Sequence, residues 1–294
     1  TAGSIRFPSA CNHLVGLKPT WGRVSRRGVF PLSDTLDHVG PMARSVCDVA
    51  MMFAAIAGED PLDPTTRDEP VDDYVGAAPA GSLKGVRIGV DPDYALGGGN
   101  DAPTAAAMNG VIAALKSCGA TLVDVRVTGV DAILERAVAS ALVEAAVAHA
   151  ATYPLHKSAY SKLFCELLDV GHATKATDYA DVAIWRREFR GQLIRHFRSV
   201  DMLLAPVAMF APLPVALMAA TAGGPPLAAA PFMRFTLPFN LAGVPSLTMP
   251  MGRTEQGAPM GFQLIGPELS EVKLLSAGAA YERHAGFAKL HPDI

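Results

Sequence analysis

Ser4 is the residue whose surroundings could make a nucleophile. It closes Thr1-Ala2-Gly3-Ser4, a stretch with nothing larger than threonine, so the backbone can come close to a ligand. Successive N–H groups in such a turn can converge on one point, which is what a developing oxyanion requires. A serine hydroxyl at its free pKa is a poor nucleophile and needs a base to take its proton. The chemistry on offer is acyl transfer, with the base supplied from elsewhere. Taken alone, Ala2-Gly3-Ser4 fits an ordinary Gly-Ser turn better than a catalytic one.

The other candidates are weaker. The eight histidines form no H-E-x-x-H pattern, and His149 and His156 are too far apart to act as a pair, so no metal site is expected. The glycines of residues 96–101 match neither phosphate-binding spacing, and Asp101 at the entrance of the following helix would repel a phosphate. That stretch reads as a plain loop. Cys11, Cys47, Cys118 and Cys165 are scattered, which suits a reducing cytoplasm better than a disulfide framework. The acid pairs Glu59-Asp60 and Asp72-Asp73 fall in a Pro-rich, solvated connection. Arg186, Arg187, Arg190, Arg195 and Arg198 share one helical stretch with aromatics, but a net charge of −3 argues against nucleic acid and favours a solvated helix face.

Half of the 294 residues are apolar, enough for one large core or two modest ones. Residues 202–233 carry no charge, yet Pro206, Pro212, Pro214, Pro225, Pro226 and Pro231, with Gly223 and Gly224, interrupt them. A membrane helix needs about 20 apolar residues with its backbone bonds intact. This segment instead reads as irregular chain packed on a core or lining a pocket.

Several elements must position Ser4. Ser45 and Gly58 bracket a helix, residues 86–90 form a β-branched strand, and Asp101 with Pro103 opens a helix closed by Gly119. Residues 120–127 read as the next strand, so the strand–helix–strand order predicts a parallel pair with a right-handed crossover. Helices follow at 131–151 and 178–200, the latter with Trp185, Phe189, Ile194 and Phe197 on its apolar side. Residues 201–207, 245–251 and 261–266 are strand-like, and a last helix starts with Ser270 as its N-cap. Alternating strands and helices place the chain in the α/β class.

The longer string decides between the two readings of the serine. Residues 3–50, GSIRFPSACNHLVGLKPTWGRVSRRGVFPLSDTLDHVGPMARSVCDVA, strongly resemble the amidase signature family, which shows G-S-I-R, then G-L-K-P-T-x-G-R-V-S, then L-D-x-x-G-P-x-A-R-S-V. LKGVRIGV at 83–90, DMLLAPV at 201–207, FTLPFNLAGVPSLTMPMG at 235–252 and GFQLIG at 261–266 are similar to later family landmarks. Residues 127–200 and 208–232 carry the least resemblance.

The resemblance implies an amidase signature fold, with a mixed, mostly parallel twisted sheet covered by helices on both sides. It implies that Ser4 is the acyl-forming nucleophile, that Thr1, Ala2 and Gly3 supply oxyanion-hole N–H groups with Ser4, and that Arg6 holds the turn by hydrogen bonds. Ala2 stands where the family usually has glycine. The family's base is a lysine acting through a serine on a cis peptide bond, both upstream of this motif, so neither is assignable within residues 1–294. Lys18, inside G-L-K-P-T, does not match that base. The expectation is the C-terminal portion of a single amidase domain, with the part carrying the lysine and the cis-serine not present. The implied activity is hydrolysis of linear carboxylic amides, with aryl amides, esters or carbamates as related substrates and no cofactor. Residues 205–232 favour an apolar acyl or aryl group. Neither nucleic acid nor membrane is expected as a partner, and a monomer or homodimer is. The alternatives are the amidase-like subunit of a tRNA-dependent amidotransferase and a pseudoenzyme.

Overall fold

The computed structural model describes residues 1–294 except 79–80, 98, 213, 218–226, 229 and 290–294. One seven-stranded sheet organises them, in the order β2-β1-β6-β7-β5-β3-β4. Its strands are β1 (Val15–Lys18), β2 (Met42–Ala43), β3 (Arg87–Val90), β4 (Thr121–Asp124), β5 (Met202–Pro206), β6 (Ser246–Arg253) and β7 (Pro259–Ile265). The α/β class and the mixed sheet are as expected, with the difference that antiparallel pairings outnumber parallel ones. Only β5–β3 and β3–β4 run parallel, whereas β1–β2, β1–β6, β6–β7 and β7–β5 are antiparallel. Of the neighbouring strands, only β3 and β4 are joined by one crossover helix; the β6–β7 hairpin and the return of β1 beside β6 reverse the direction elsewhere.

The pleat gives the sheet two different faces. Register places Lys18 beside Ser246, Gly16 beside Thr248 and Thr248 beside Gln263 on one face, with Leu17 beside Leu247 and Met249 beside Phe262 on the other. Helix α1 (Arg6–Cys11) covers the polar face, so closely that a Cβ on Gly16 would lie 2.2 Å from Ser9 Oγ. Helices α2 (Val46–Ile56), α3 (Ala102–Ser117) and α8 (Glu271–Ala285) pack against the main apolar core. Phe262 meets Tyr281 of α8 edge to face at 4.8 Å. A second apolar cluster lies under α4 (Val130–Ala148), where Ile133, Leu134, Ala137, Val138 and Ala141 surround Leu36 and Leu237.

Local signals behave as their chemistry dictates. Ser45 Oγ accepts from Asp48 N at 3.1 Å, and Asp101 Oδ1 accepts from Thr104 N at 2.8 Å, capping α2 and α3. Gly119, just past α3, has φ +98°. Ser270 stands at the N-cap of α8 as expected, but its hydroxyl donates to Pro267 O at 2.6 Å instead of accepting from the helix. Helices α5 (Lys162–Ala173) and α6 (Ala176–His196) complete the α4 layer. On α6 the buried residues are Val182, Phe189 and Leu193, while Ile194 is 55% exposed, so the apolar face lies one position away from that residue. Trp185 stacks on Phe189 at 4.8 Å. No helix among the described residues is long and apolar enough to cross a membrane. In the proline-rich 202–233 stretch, Phe210 and Phe232 pack edge to face, and Gly223, Gly224, Pro225 and Pro226 lie outside the described residues.

Candidate active site

Ser4 sits in the turn that enters α1, and its residue is exposed. Gly3 makes that turn possible. Its φ is +147°, and a Cβ there would stand 2.8 Å from Thr236 Oγ1. Gly3 O accepts from Phe7 N at 2.8 Å, and the Thr236 hydroxyl donates to Ala2 O at 2.5 Å. Among the described residues, no acceptor in the protein takes the N–H groups of Ala2, Gly3 or Ser4. The Ser4 hydroxyl likewise makes no hydrogen bond with them.

Arg6 pins the turn from below. It is wholly buried, and its guanidinium donates to Thr236 O at 2.8 Å, to Gln263 Oε1 at 3.1 Å and to Asn240 Oδ1. Gln263 is itself fixed, donating to Phe235 O at 2.6 Å and Pro206 O at 3.1 Å. Among the described residues no carboxylate meets the Arg6 cation, and burial pushes its pKa down to about 9. Arg6 Nε, with Ser246 Oγ and Thr248 Oγ1 on the same sheet face, is buried without a partner among the described residues. Helix α7 (Leu237–Leu241) supplies Asn240, so the segment after residue 235 builds the floor of the turn.

Lys18 also lies here. A small cavity of about 10 Å³ is lined by Ser4, Arg6, Lys18, His38 and Asn240. The Lys18 amine reaches Val244 O at 2.6 Å, Pro19 O at 3.1 Å and His38 Nε2 at 3.2 Å. Burial, then the charge of Arg6, lowers its pKa well below the ordinary lysine value. The His38 imidazole is held low for the same first reason and by the neighbouring Lys18 charge. The amine's contacts are two carbonyls and an imidazole, and Ser4 is not among them.

Above the turn opens a cleft of about 470 Å³. Ser4, Thr1 and His38 line it, with Val29, Phe30, Leu62 and Pro64 as an apolar wall and Arg26, Arg27, Asp34 and Asp63 as charged lining. Phe30 is 64% and Leu62 66% exposed. The wall follows residues 31–37, which Asp37 folds back by accepting Leu32 N at 2.8 Å and Ser33 N at 3.0 Å on one oxygen while the other takes the Thr1 hydroxyl.

The structure thus places the expected residues Thr1, Ala2, Gly3, Ser4 and Arg6 around one turn and adds several partners. Asp37, Thr236, Asn240 and Gln263 were not singled out by sequence reasoning. L-D-x-x-G-P contains the first, and the landmarks at 235–252 and 261–266 contain the others, so the motifs were their only signal. Among the described residues no cluster of His, Cys, Asp or Glu could hold a metal ion.

The Amidase family description matches residues 1–275, and the chain belongs to that family. AmiD of Mycobacterium tuberculosis is 37% identical over the whole chain, which spans 61% of that protein's length. An amidase of Pseudomonas putida is 34% identical over the whole chain and is covered to 63%. A glutamyl-tRNA(Gln) amidotransferase component from Anaeromyxobacter dehalogenans is 35% identical, again over the whole chain and 63% of its own length. Among solved structures, the peptide amidase of Stenotrophomonas maltophilia aligns with a TM-score of 0.74 at 30% identity, covering 96% of this chain and 60% of that one. A 6-aminohexanoate cyclic dimer hydrolase in complex with substrate aligns at 0.83 and 25% identity, over 99% and 64% of the two chains.

Proposed function

We propose that the protein hydrolyses linear carboxylic amides through an acyl-enzyme on Ser4. The observation that carries this reading is the exposed Ser4 hydroxyl at the mouth of a cleft, flanked by N–H groups of Ala2, Gly3 and Ser4 that no acceptor among the described residues takes. Ser4 Oγ attacks the amide carbon as its proton leaves to the base, and the carbonyl electron pair moves onto oxygen. Thr1, Ala2, Gly3 and Ser4 donate N–H to that oxyanion, and the turn holds those donors in place before charge develops. Buried Arg6 adds a positive charge beneath the turn. Collapse breaks the C–N bond, the amine departs with a proton returned by the base, and water then releases the carboxylate. The base in this reading is the family's lysine acting through a cis-serine.

The apolar wall of Val29, Phe30 and Leu62 supports an apolar acyl or aryl substituent. Aryl amides, esters and carbamates are the related substrates. The four free thiols suit a reducing cytoplasm, where we place the enzyme, as a monomer or homodimer without nucleic-acid or membrane partners. In the full-length protein, Ser4→Ala is expected to abolish hydrolysis of an anilide; undiminished turnover overturns the reading.

A second reading, the ammonia-releasing component of a tRNA-dependent amidotransferase, is favoured by the 35% identity to a protein of that name. Efficient hydrolysis of bulky synthetic amides without any partner protein excludes it.

A further inference from the structure

Glu144 lies on α4, outside the motifs and away from the serine turn. Its half-buried carboxylate nevertheless accepts four hydrogen bonds. Oε2 takes the Ser33 hydroxyl at 2.7 Å and Thr35 N at 2.9 Å. Oε1 takes the Thr35 hydroxyl at 2.8 Å and the Tyr179 hydroxyl at 3.0 Å. Three of the four donors belong to residues 33–35, so one side chain fastens that loop to the helical layer. Arg186 of α6 adds a hydrogen bond to Thr35 O at 3.2 Å.

The fastened loop leads to the serine. Leu36 N and Asp37 N both donate to Ser33 O, at 3.0 and 2.8 Å, closing a tight turn. Asp37 then accepts the Thr1 hydroxyl, and Leu36 O accepts Asn240 Nδ2 at 3.2 Å, while Asn240 Oδ1 accepts from Arg6. Leu36 is buried among α4 side chains, with Ala2 packed against the same cluster. Both ends of the serine turn are therefore tied to a loop that Glu144 holds.

We propose that Glu144 is a positioning residue for the reaction at Ser4. Its carboxylate sets the place of residues 33–37, and Asp37 and Leu36 pass that placement to Thr1 and Arg6. The inference rests on the acyl-transfer reading of Ser4. Acyl transfer is sensitive to such placement, since a displacement of about 1 Å in a reacting constellation can lower the rate about 100-fold.

The test compares Glu144→Ala, Glu144→Gln and Ser4→Ala in the full-length protein, with anilide hydrolysis, the rate of Ser4 labelling by a fluorophosphonate, and thermal unfolding. The alanine variant is expected to lose about 10- to 100-fold in kcat and in labelling rate, with KM changed less than about threefold, at temperatures where it remains folded. Glutamine keeps one acceptor oxygen and is expected to recover part of that loss. Wild-type kcat and labelling rate in folded Glu144→Ala overturn the inference. Should that variant not fold, Thr35→Val takes its place, with a loss of about threefold or more expected and wild-type kcat counting against the brace. Residual full activity in Ser4→Ala removes the acyl-enzyme reading itself, an outcome separate from the others.

Discussion

The hydroxyl of Thr236 occupies the space that a side chain on Gly3 would need. The two residues are 233 positions apart in sequence, yet Thr236 also donates to Ala2 O, so the same hydroxyl fixes the turn and excludes any substituent from it. Gly3→Ala is expected to strain the backbone by about 1–3 kcal/mol and to displace the N–H groups beside Ser4. We expect kcat in the full-length protein to fall about 100-fold with a folded enzyme remaining. Circular dichroism and anilide turnover, measured together, check both halves of the statement.

Arg6 is the internal peg of the site. Removing it leaves Gln263 Oε1, Thr236 O and Asn240 Oδ1 buried without their donor. Arg6→Met is expected to lower stability by about 1–3 kcal/mol, the cost of leaving buried acceptors without their donor. A shift of the urea midpoint to lower concentration would register it.

Acid should loosen the loop opposite the serine. The Asp63 carboxylate accepts the Thr65 hydroxyl at 2.6 Å and Arg26 N at 2.7 Å, which hold its pKa at about 2 against an ordinary 3.8. A depressed carboxylate contributes stability that is present above the unfolded value and lost as pH falls through the folded one. Unfolding free energy is expected to drop between pH 4 and 2, and Asp63→Asn should flatten that limb.

The α4–α5 contact admits no side chain at Gly171. A Cβ there would lie 2.1 Å from Leu142 O. Gly171→Ala is expected to part the two helices and to destabilise the fold by about 1–3 kcal/mol through overpacking. Because Glu144 is on the same helix as Leu142, two positions further on, a parallel loss of activity is expected, read as kcat beside the melting temperature.

Much of this arrangement was legible in the sequence, and the rest fails for identifiable reasons. Ser45 and Asp101 announced their helices because a cap is a local interaction. The strand β1 has no clear sequence signal because Val15–Lys18 is four residues long and runs straight into a proline. The face of α6 differs from expectation at Ile194, where helical periodicity alone does not say which neighbour arrives. Strand–helix alternation correctly announced the parallel β3–β4 pair, whereas the mostly parallel sheet implied by the resemblance does not hold, because β6 is joined to β7 by a hairpin and flanked by β1 from the other end of the chain. Ser4 and Arg6 were readable from one short motif, whereas the pairing of Glu144 with Thr35 spans 109 positions and has no local signature.

The seat of the serine turn has a consequence for biosynthesis. Ser4 precedes by more than 230 residues the Thr236, Asn240 and Gln263 groups that receive Arg6. A ribosome therefore releases Ser4 long before it delivers the groups that hold its turn. Until residues 236–263 emerge, the nascent turn lacks its floor, and a chain stalled or clipped short of residue 263 carries Ser4 without its full support. The seat of the turn is complete only once the last strand has been made.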